Sequence, residues 1–304
     1  MKYFLVLIVC FATAVSANEP DKDLHIKCIY PAVSLSGKTW PRHYGESIQG
    51  WSGSGVITRS EKIDDKRFLN VCLTCDHVIC GEVCVNIPRY KDWSTFVGYE
   101  HIQDTVVVDR SNAYDLAVVV FESKVKLNTV DLDFDSKIYF STDILKVGFG
   151  MSDTARLDYG QISSLKEPIK QGVWNYPFKT NVETIVGDSG GPVFFKENYK
   201  LLGLIHAIKK VDGQYLTGHS FVIPLAWLKT WSVETKNELD FVFDKSLKIP
   251  HTVAEYKKIN FINNLKKNIS QLETDIENKK RLKVEAENNL KKAEEGSPIF
   301  KLEN

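Results

Sequence analysis

Gly187-Asp188-Ser189-Gly190-Gly191-Pro192 is the stretch on which the reading of this chain turns. A serine hydroxyl is a weak nucleophile until a neighbouring base takes its proton. It also needs N–H donors for the oxyanion that forms on an attacked carbonyl. Gly187, two residues before Ser189, lets the backbone turn sharply, so the N–H groups of Gly187 and Ser189 can converge on one point. Gly190 and Gly191 leave room for a substrate backbone. The plainer alternative, a glycine-rich hairpin turn, leaves the order of the six residues unexplained.

A nucleophilic serine requires a base and a group that orients it, and the chain offers candidates for both. Leu73-Thr74-Cys75-Asp76-His77-Val78-Ile79 ends an apolar run, with Gly53-Ser54-Gly55-Val56 upstream. His77 at that strand end is the candidate general base. Ala113-Tyr114-Asp115-Leu116-Ala117-Val118-Val119 places a carboxylate directly before another apolar run. There Asp115 can accept the second imidazole N–H and hold the tautomer that base catalysis needs. Asp109 is the rival for that role and is set aside because it does not abut the run. Base catalysis by His77 predicts activity that rises as the imidazole loses its proton.

These segments, in the order His77, Asp115, Ser189, resemble the chymotrypsin/trypsin-like serine proteases. The nearer likeness is to the compact branch that includes the bacterial high-temperature-requirement proteases. Gly160-Gln161-Ile162-Ser163, Lys179-Thr180-Asn181 and Ser220-Phe221-Val222-Ile223-Pro224 extend the likeness, which spans roughly residues 30 to 232. The resemblance implies a mainly β fold of two six-stranded antiparallel barrels with the triad in the cleft between them. His77 and Asp115 would come from the first barrel and Ser189 from the second. It implies a serine endopeptidase acting on protein or peptide substrates through an acyl-enzyme, with Gly187 and Ser189 as the oxyanion hole and no metal or organic cofactor. A self-processing protease of narrow specificity, and a catalytically silent binding protein, are the alternatives.

The chain also departs from the family. No Arg-Ile-Val-Gly-Gly-type activation site precedes the domain near Cys28 to Tyr30, so Asp188 is not expected to await a freed N-terminus. Val78 stands where digestive enzymes have a cysteine. A helical tail stands where the high-temperature-requirement proteases carry a peptide-binding domain. Two residues compete for substrate specificity. Glu183, six before the serine, would favour Lys or Arg at P1 by charge pairing. His206, in Gly203 to Ile208, would instead favour Glu or Gln.

Working outward, short Val-, Ile-, Phe- and Tyr-rich runs alternate with turn residues from about Cys28 to Trp231. Examples are Val83 to Ile87, Thr105 to Val108, Ile144 to Val147 and Val193 to Phe195. The protease domain is read as residues 18–235, with a junction near 124–140. Residues 250–295 read as a long helix. Ile262, Leu265, Ile269, Leu272 and Ile276 follow a 3-4 spacing, which Lys279 and Lys283 interrupt. The helix either joins copies of the chain as a coiled coil or folds back on its own domain. Gly296-Ser297-Pro298 stops it, and Asn268-Ile269-Ser270 is a glycosylation sequon.

The 304 residues are 43% apolar and 26% charged, as in an ordinary globular protein. Lysine plus arginine and aspartate plus glutamate number 39 each. That balance lacks the basic excess of a nucleic-acid binder. Lys2, the apolar run Tyr3 to Val15 and the small residues before Asn18 read as a signal peptide over residues 1–17. The run, about thirteen residues, is too short for a membrane span of roughly 20. The expected location is secreted or lumenal. Cys28, Cys72, Cys75, Cys80 and Cys84 would then form one or two disulfides. The Cys72-x2-Cys75-x4-Cys80-x3-Cys84 spacing is too tight for a usual zinc knuckle.

Overall fold

The computed structural model describes residues 22–39, 49–91, 95–150, 154–165, 178–211, 214–236 and 238–294. The expected signal segment and the Gly296-Ser297-Pro298 stop lie outside the described residues.

The first half of the protease fold is one sheet. Its strands are β1 (Ala32–Thr39), β2 (Gln49–Lys62), β3 (Phe68–Thr74), β4 (Glu82–Tyr90), β5 (Phe96–Ile102), β6 (Thr105–Ser111) and β7 (Leu116–Ser123). They pair in the order β5-β4-β1-β2-β3-β7-β6, antiparallel throughout. The mainly β, chymotrypsin-like fold is the expected one, and within it the first half is a seven-stranded sheet among the described residues, in place of the expected closed six-stranded barrel. The reason is a corner. The two edge strands, β5 and β6, are consecutive in sequence and joined only by Gln103 and Asp104. So short a link forces the sheet to roll until its edges meet. At this corner Thr105 Oγ1 of β6 donates to the carbonyl of Val83 on β4 at 2.7 Å. The chain turns at this corner instead of adding a closing ladder. Leu116 to Phe121 are all buried, which is why β7 reads as an unbroken apolar run rather than an alternating one.

The second half closes fully. Strands β8 (Asp143–Gly148), β9 (Arg156–Ser164), β10 (Phe178–Thr180), β11 (Pro192–Phe195), β12 (Leu201–Val211) and β13 (Gln214–Pro224) form a barrel in the order β10-β13-β12-β11-β8-β9. Ile144, Ile162, Phe178, Val193, Ile205 and Val222 belong to its apolar core. Each such side chain contributes about 1.5–3 kcal/mol when fully buried. Residues 124–142 connect the two halves. Ser54 of β2 donates its backbone N–H to the carbonyl of Ser189 at 2.8 Å, so the first sheet touches the serine loop directly.

The five cysteines of the described region are all free thiols, so the expected disulfides are not formed. Their spacing places them on structures that aim them apart. Cys72 lies within β3, where its Sγ fills the space beside Gly55. Cys75 donates to the carbonyl of Ile205, Cys80 to that of His77, and Cys84 to Asn86 Oδ1.

After β13 the chain forms the helix Ala226–Glu234 and a run of turns. Arg59 of β2 fastens this run. Its buried guanidinium donates to the carbonyls of Phe241 at 2.6 Å, Asp244 at 2.5 Å and Leu247 at 2.6 Å, and pairs with Glu61. The helix Val253–Glu294 follows, 42 residues long. Ala254 onward forms a separate compact unit. Along this helix Ile262, Leu265, Ile269, Leu272, Ile276 and Leu290 are exposed. Among the described residues no helix is long and apolar enough to cross a membrane.

Removing the Arg59 fork leaves the Phe241 carbonyl buried without its donor, at about 1–3 kcal/mol, and the part-buried Asp244 and Leu247 carbonyls to be partly met by water at a smaller cost. Arg59→Ala is therefore expected to lower unfolding stability by about 2–4 kcal/mol. Urea denaturation of the variant beside wild type measures this.

Candidate active site

The first sheet supplies a base and its partner. β3 ends at Thr74, and a single 3-10 turn, Asp76–Val78, carries His77 out to the surface. The turn is pinned by Arg110, whose Nε donates to Asp76 Oδ1 at 2.5 Å. Gly53 beneath it has no room for a side chain, because a Cβ would come within 2.4 Å of Val78 Cγ1. Asp115 sits at the start of β7 with a φ of 52°, a left-handed conformation that aspartate adopts more readily than most residues. That turn aims its carboxylate at the histidine. His77 Nδ1 lies 2.8 Å from Asp115 Oδ2, and the His77 backbone N–H donates to Oδ1 at 2.9 Å. The rival Asp109 lies on β6 and accepts from the N–H of Arg110 instead.

Asp115 has a second histidine. His206 Nε2 also lies 2.8 Å from Asp115 Oδ2, and the His206 and His77 rings stand 5.0 Å apart, edge to face. Asp115 is wholly buried, which alone would raise its pKa. Hydrogen bonds from His206 and His77, reinforced by their charge, outweigh that and hold it at about 2. Burial lowers the pKa of His206 more than the Asp115 carboxylate raises it. His206 Nε2–H donates to the carboxylate. Cys75 is buried against the same group, and burial pushes its thiol well up.

The second barrel supplies the serine. Gly187 and Gly190 have φ values of 97° and 83°, which only glycine adopts freely. A side chain at Gly190 would strike the Ser54 carbonyl and Thr74 Oγ1, both 2.2 Å from its Cβ. Gly190 N–H donates to the Ile205 carbonyl at 2.7 Å and Gly191 N–H to that of Asp188 at 2.9 Å. The Gly187 and Ser189 N–H groups donate to no acceptor among the described residues. Ser54 Oγ donates to the Gly187 carbonyl at 2.8 Å and so fixes this loop to β2. Ser189 Oγ donates to the His206 carbonyl at 2.9 Å rather than to His77.

Asp188 holds the loop from behind. It is wholly buried, and its Oδ1 and Oδ2 accept the N–H groups of Gly150 and Ile185, each at 2.9 Å. Its charge is met by Lys146, itself wholly buried on β8, which also reaches Asp158 Oδ2 at 3.1 Å. This internal lysine answers the question raised by the missing activation sequence, because the carboxylate already has its cation.

Both expected specificity residues have partners within the chain. Glu183 is 58% exposed and pairs with Arg156 at 3.4 Å, so its carboxylate is not bare. The His206 ring is turned onto Asp115. Sequence reasoning passed over this second partner of Asp115, and over Lys146. The available signal for Lys146 was a lysine inside the otherwise apolar run Ile144 to Val147.

A serine loop with two undirected N–H groups, and a histidine paired to a buried aspartate, define the class of the trypsin-like serine peptidases. The trypsin-like peptidase domain family matches residues 53–204, and the chain belongs to that family. Among solved structures it is similar to the HtrA-type protease AlgW with a tripeptide, at a TM-score of 0.54 and 19% identity. That similarity covers 72% of this chain and 64% of AlgW's, and it concerns the fold. No curated protein sequence matches the chain.

Breaking a buried ion pair from one side typically costs about 3–5 kcal/mol. Lys146→Met is expected to destabilise the fold by that amount. The double variant Lys146→Met/Asp188→Asn, with no bare carboxylate, should recover at least half of it. Chemical denaturation of both variants checks the pairing.

Proposed function

We propose that the protein is a serine endopeptidase that cleaves protein or peptide substrates through an acyl-enzyme. The observation that carries this is the His77–Asp115 contact of 2.8 Å beside a serine loop whose Gly187 and Ser189 N–H groups are open.

Ser189 Oγ first leaves the His206 carbonyl and turns to His77 Nε2. His77 takes the hydroxyl proton as Oγ attacks the scissile carbonyl. The oxyanion is met by the Gly187 and Ser189 N–H groups, and one such donor is worth about 10²–10³ in rate. His77 then protonates the leaving amine, the C–N bond breaks, and Ser189 carries the acyl group. A water activated by His77 hydrolyses the ester and restores the serine. Asp115 holds His77 in the Nδ1–H tautomer throughout and stabilises the imidazolium.

Three finer readings belong to the same proposal. Export rests on Lys2 and the apolar run Tyr3 to Val15. A basic P1 choice rests on Glu183, which would have to release Arg156 to receive a substrate cation. Self-association through the long helix rests on its exposed 3-4 seam, which a second copy would match.

Cleavage of a diverse peptide mixture by wild type and Ser189→Ala, read by mass spectrometry, tests the proposal. Wild type should cut. Ser189→Ala should lose activity by a factor on the order of 10⁶. Equal cutting by both contradicts it. Light scattering of the full chain should give a multiple of the 34.6 kDa monomer mass. A monomer would remove the seam as an interface.

A further inference from the structure

Peptide hydrolysis uses the His77 ring and the Asp115 carboxylate and leaves Cys75 with nothing to do. Cys75 is nevertheless wholly buried beside them, at the end of β3. Its Sγ, a ring nitrogen of His77 and a carboxylate oxygen of Asp115 all lie within 4.8 Å of one another. Ligands placed 2.0–2.3 Å from one tetrahedral zinc are about 3.3–3.8 Å apart. The His77–Asp115 hydrogen bond of 2.8 Å would open to that spacing, and Cys75 Sγ already stands within 4.8 Å of both atoms. We infer that Cys75, His77 and Asp115 form a binding site for a soft divalent cation such as Zn²⁺, and that its occupancy switches the peptidase off.

The donor chemistry fits. Thiolate, imidazole and carboxylate are the three ligand types that zinc takes from proteins. Charge fits as well. One thiolate and one carboxylate neutralise a dication, so the complex places no net charge around the buried Asp115. His206 Nε2–H, 2.8 Å from the same Asp115 oxygen, keeps its hydrogen bond to the carboxylate beside the ion. His77, 42% exposed, is the side from which an ion arrives.

Binding requires no oxidant. The Cys75 S–H bond breaks, its proton passes to solvent, and a metal–sulfur bond forms. The ion takes the Nδ1 lone pair of His77, the nitrogen that faces Asp115, so the ring proton moves to Nε2. A histidine protonated on Nε2 has no lone pair for the Ser189 hydroxyl. Asp115 is meanwhile diverted from orienting the ring. Both effects stop catalysis without blocking the substrate cleft.

The inhibition rests on the peptidase reading, whereas the metal site does not, and two measurements on the full chain keep them apart. The first titrates Co²⁺ into Ser189→Ala and watches for the thiolate-to-cobalt charge-transfer band. The band is expected in Ser189→Ala and not in Ser189→Ala/Cys75→Ala, where Cys80 and Cys84 remain. The second measures kcat/KM against buffered free Zn²⁺, each protein relative to its own zinc-free rate. Wild type should be inhibited reversibly, with activity restored by a chelator. Cys75→Ala should need at least ~100-fold more zinc, beyond the 10–100-fold that losing an outer-shell partner costs. If Cys75→Ala does not fold, Cys75→Ser keeps the volume and offers a poor zinc ligand. A Cys75-dependent band in a protein without peptidase activity leaves the site standing and overturns the peptidase reading. No Cys75-dependent band, or equal zinc sensitivity with and without the thiol, overturns the site.

Discussion

Everything at this site is arranged around the carboxylate of Asp115. A wholly buried aspartate is costly unless its charge is met by hydrogen-bond donors. Here the donors are the His77 backbone, the His77 ring and the His206 ring. His77 belongs to the first sheet and His206 to the second barrel, so one charge joins the two halves of the fold. The histidine orientation that base catalysis needs is the orientation that satisfies the buried carboxylate. Catalytic geometry and folding stability therefore draw on the same contacts.

The serine loop is built on the same principle with the charges reversed in role. Asp188 is buried behind Ser189, and its two oxygens gather the N–H groups of Gly150 and Ile185. Lys146 supplies the compensating charge from inside the barrel. A cation carried on β8 is present as soon as the barrel folds. With the positive φ of Gly187 and Gly190 and the contacts of Ser54, the Gly187 and Ser189 N–H groups keep no acceptor among the described residues. Ser189 rests on the His206 carbonyl, so His206 touches both Asp115, through its ring, and Ser189, through its backbone.

Much of this was legible in the sequence because the decisive residues are local. A glycine-framed serine, a histidine at a strand end and an aspartate before an apolar run each announce themselves within seven residues. The choice of Asp115 over Asp109 followed from adjacency to β7, and the fold places Asp115 against His77 for that reason. What was not legible depends on pairing across the chain. His206 reads equally well as a pocket residue until the strand register turns its ring toward Asp115. Nothing near Glu183 in the sequence announces its ion pair with Arg156 on β9. The close cysteines suggested disulfides, yet a strand followed by a 3-10 turn points them at different neighbours. The seventh strand of the first sheet was hidden because closure at Gln103 and Asp104 is a corner, which carries no pattern of its own.

The most direct test of the account is covalent labelling of the full chain with a fluorophosphonate, followed by intact mass and peptide mapping. Such a reagent is attacked only by a serine whose proton is taken by an oriented base. The account predicts one adduct, on Ser189, lost in His77→Ala. A folded protein that stays unlabelled, or one labelled equally well without His77, would contradict it.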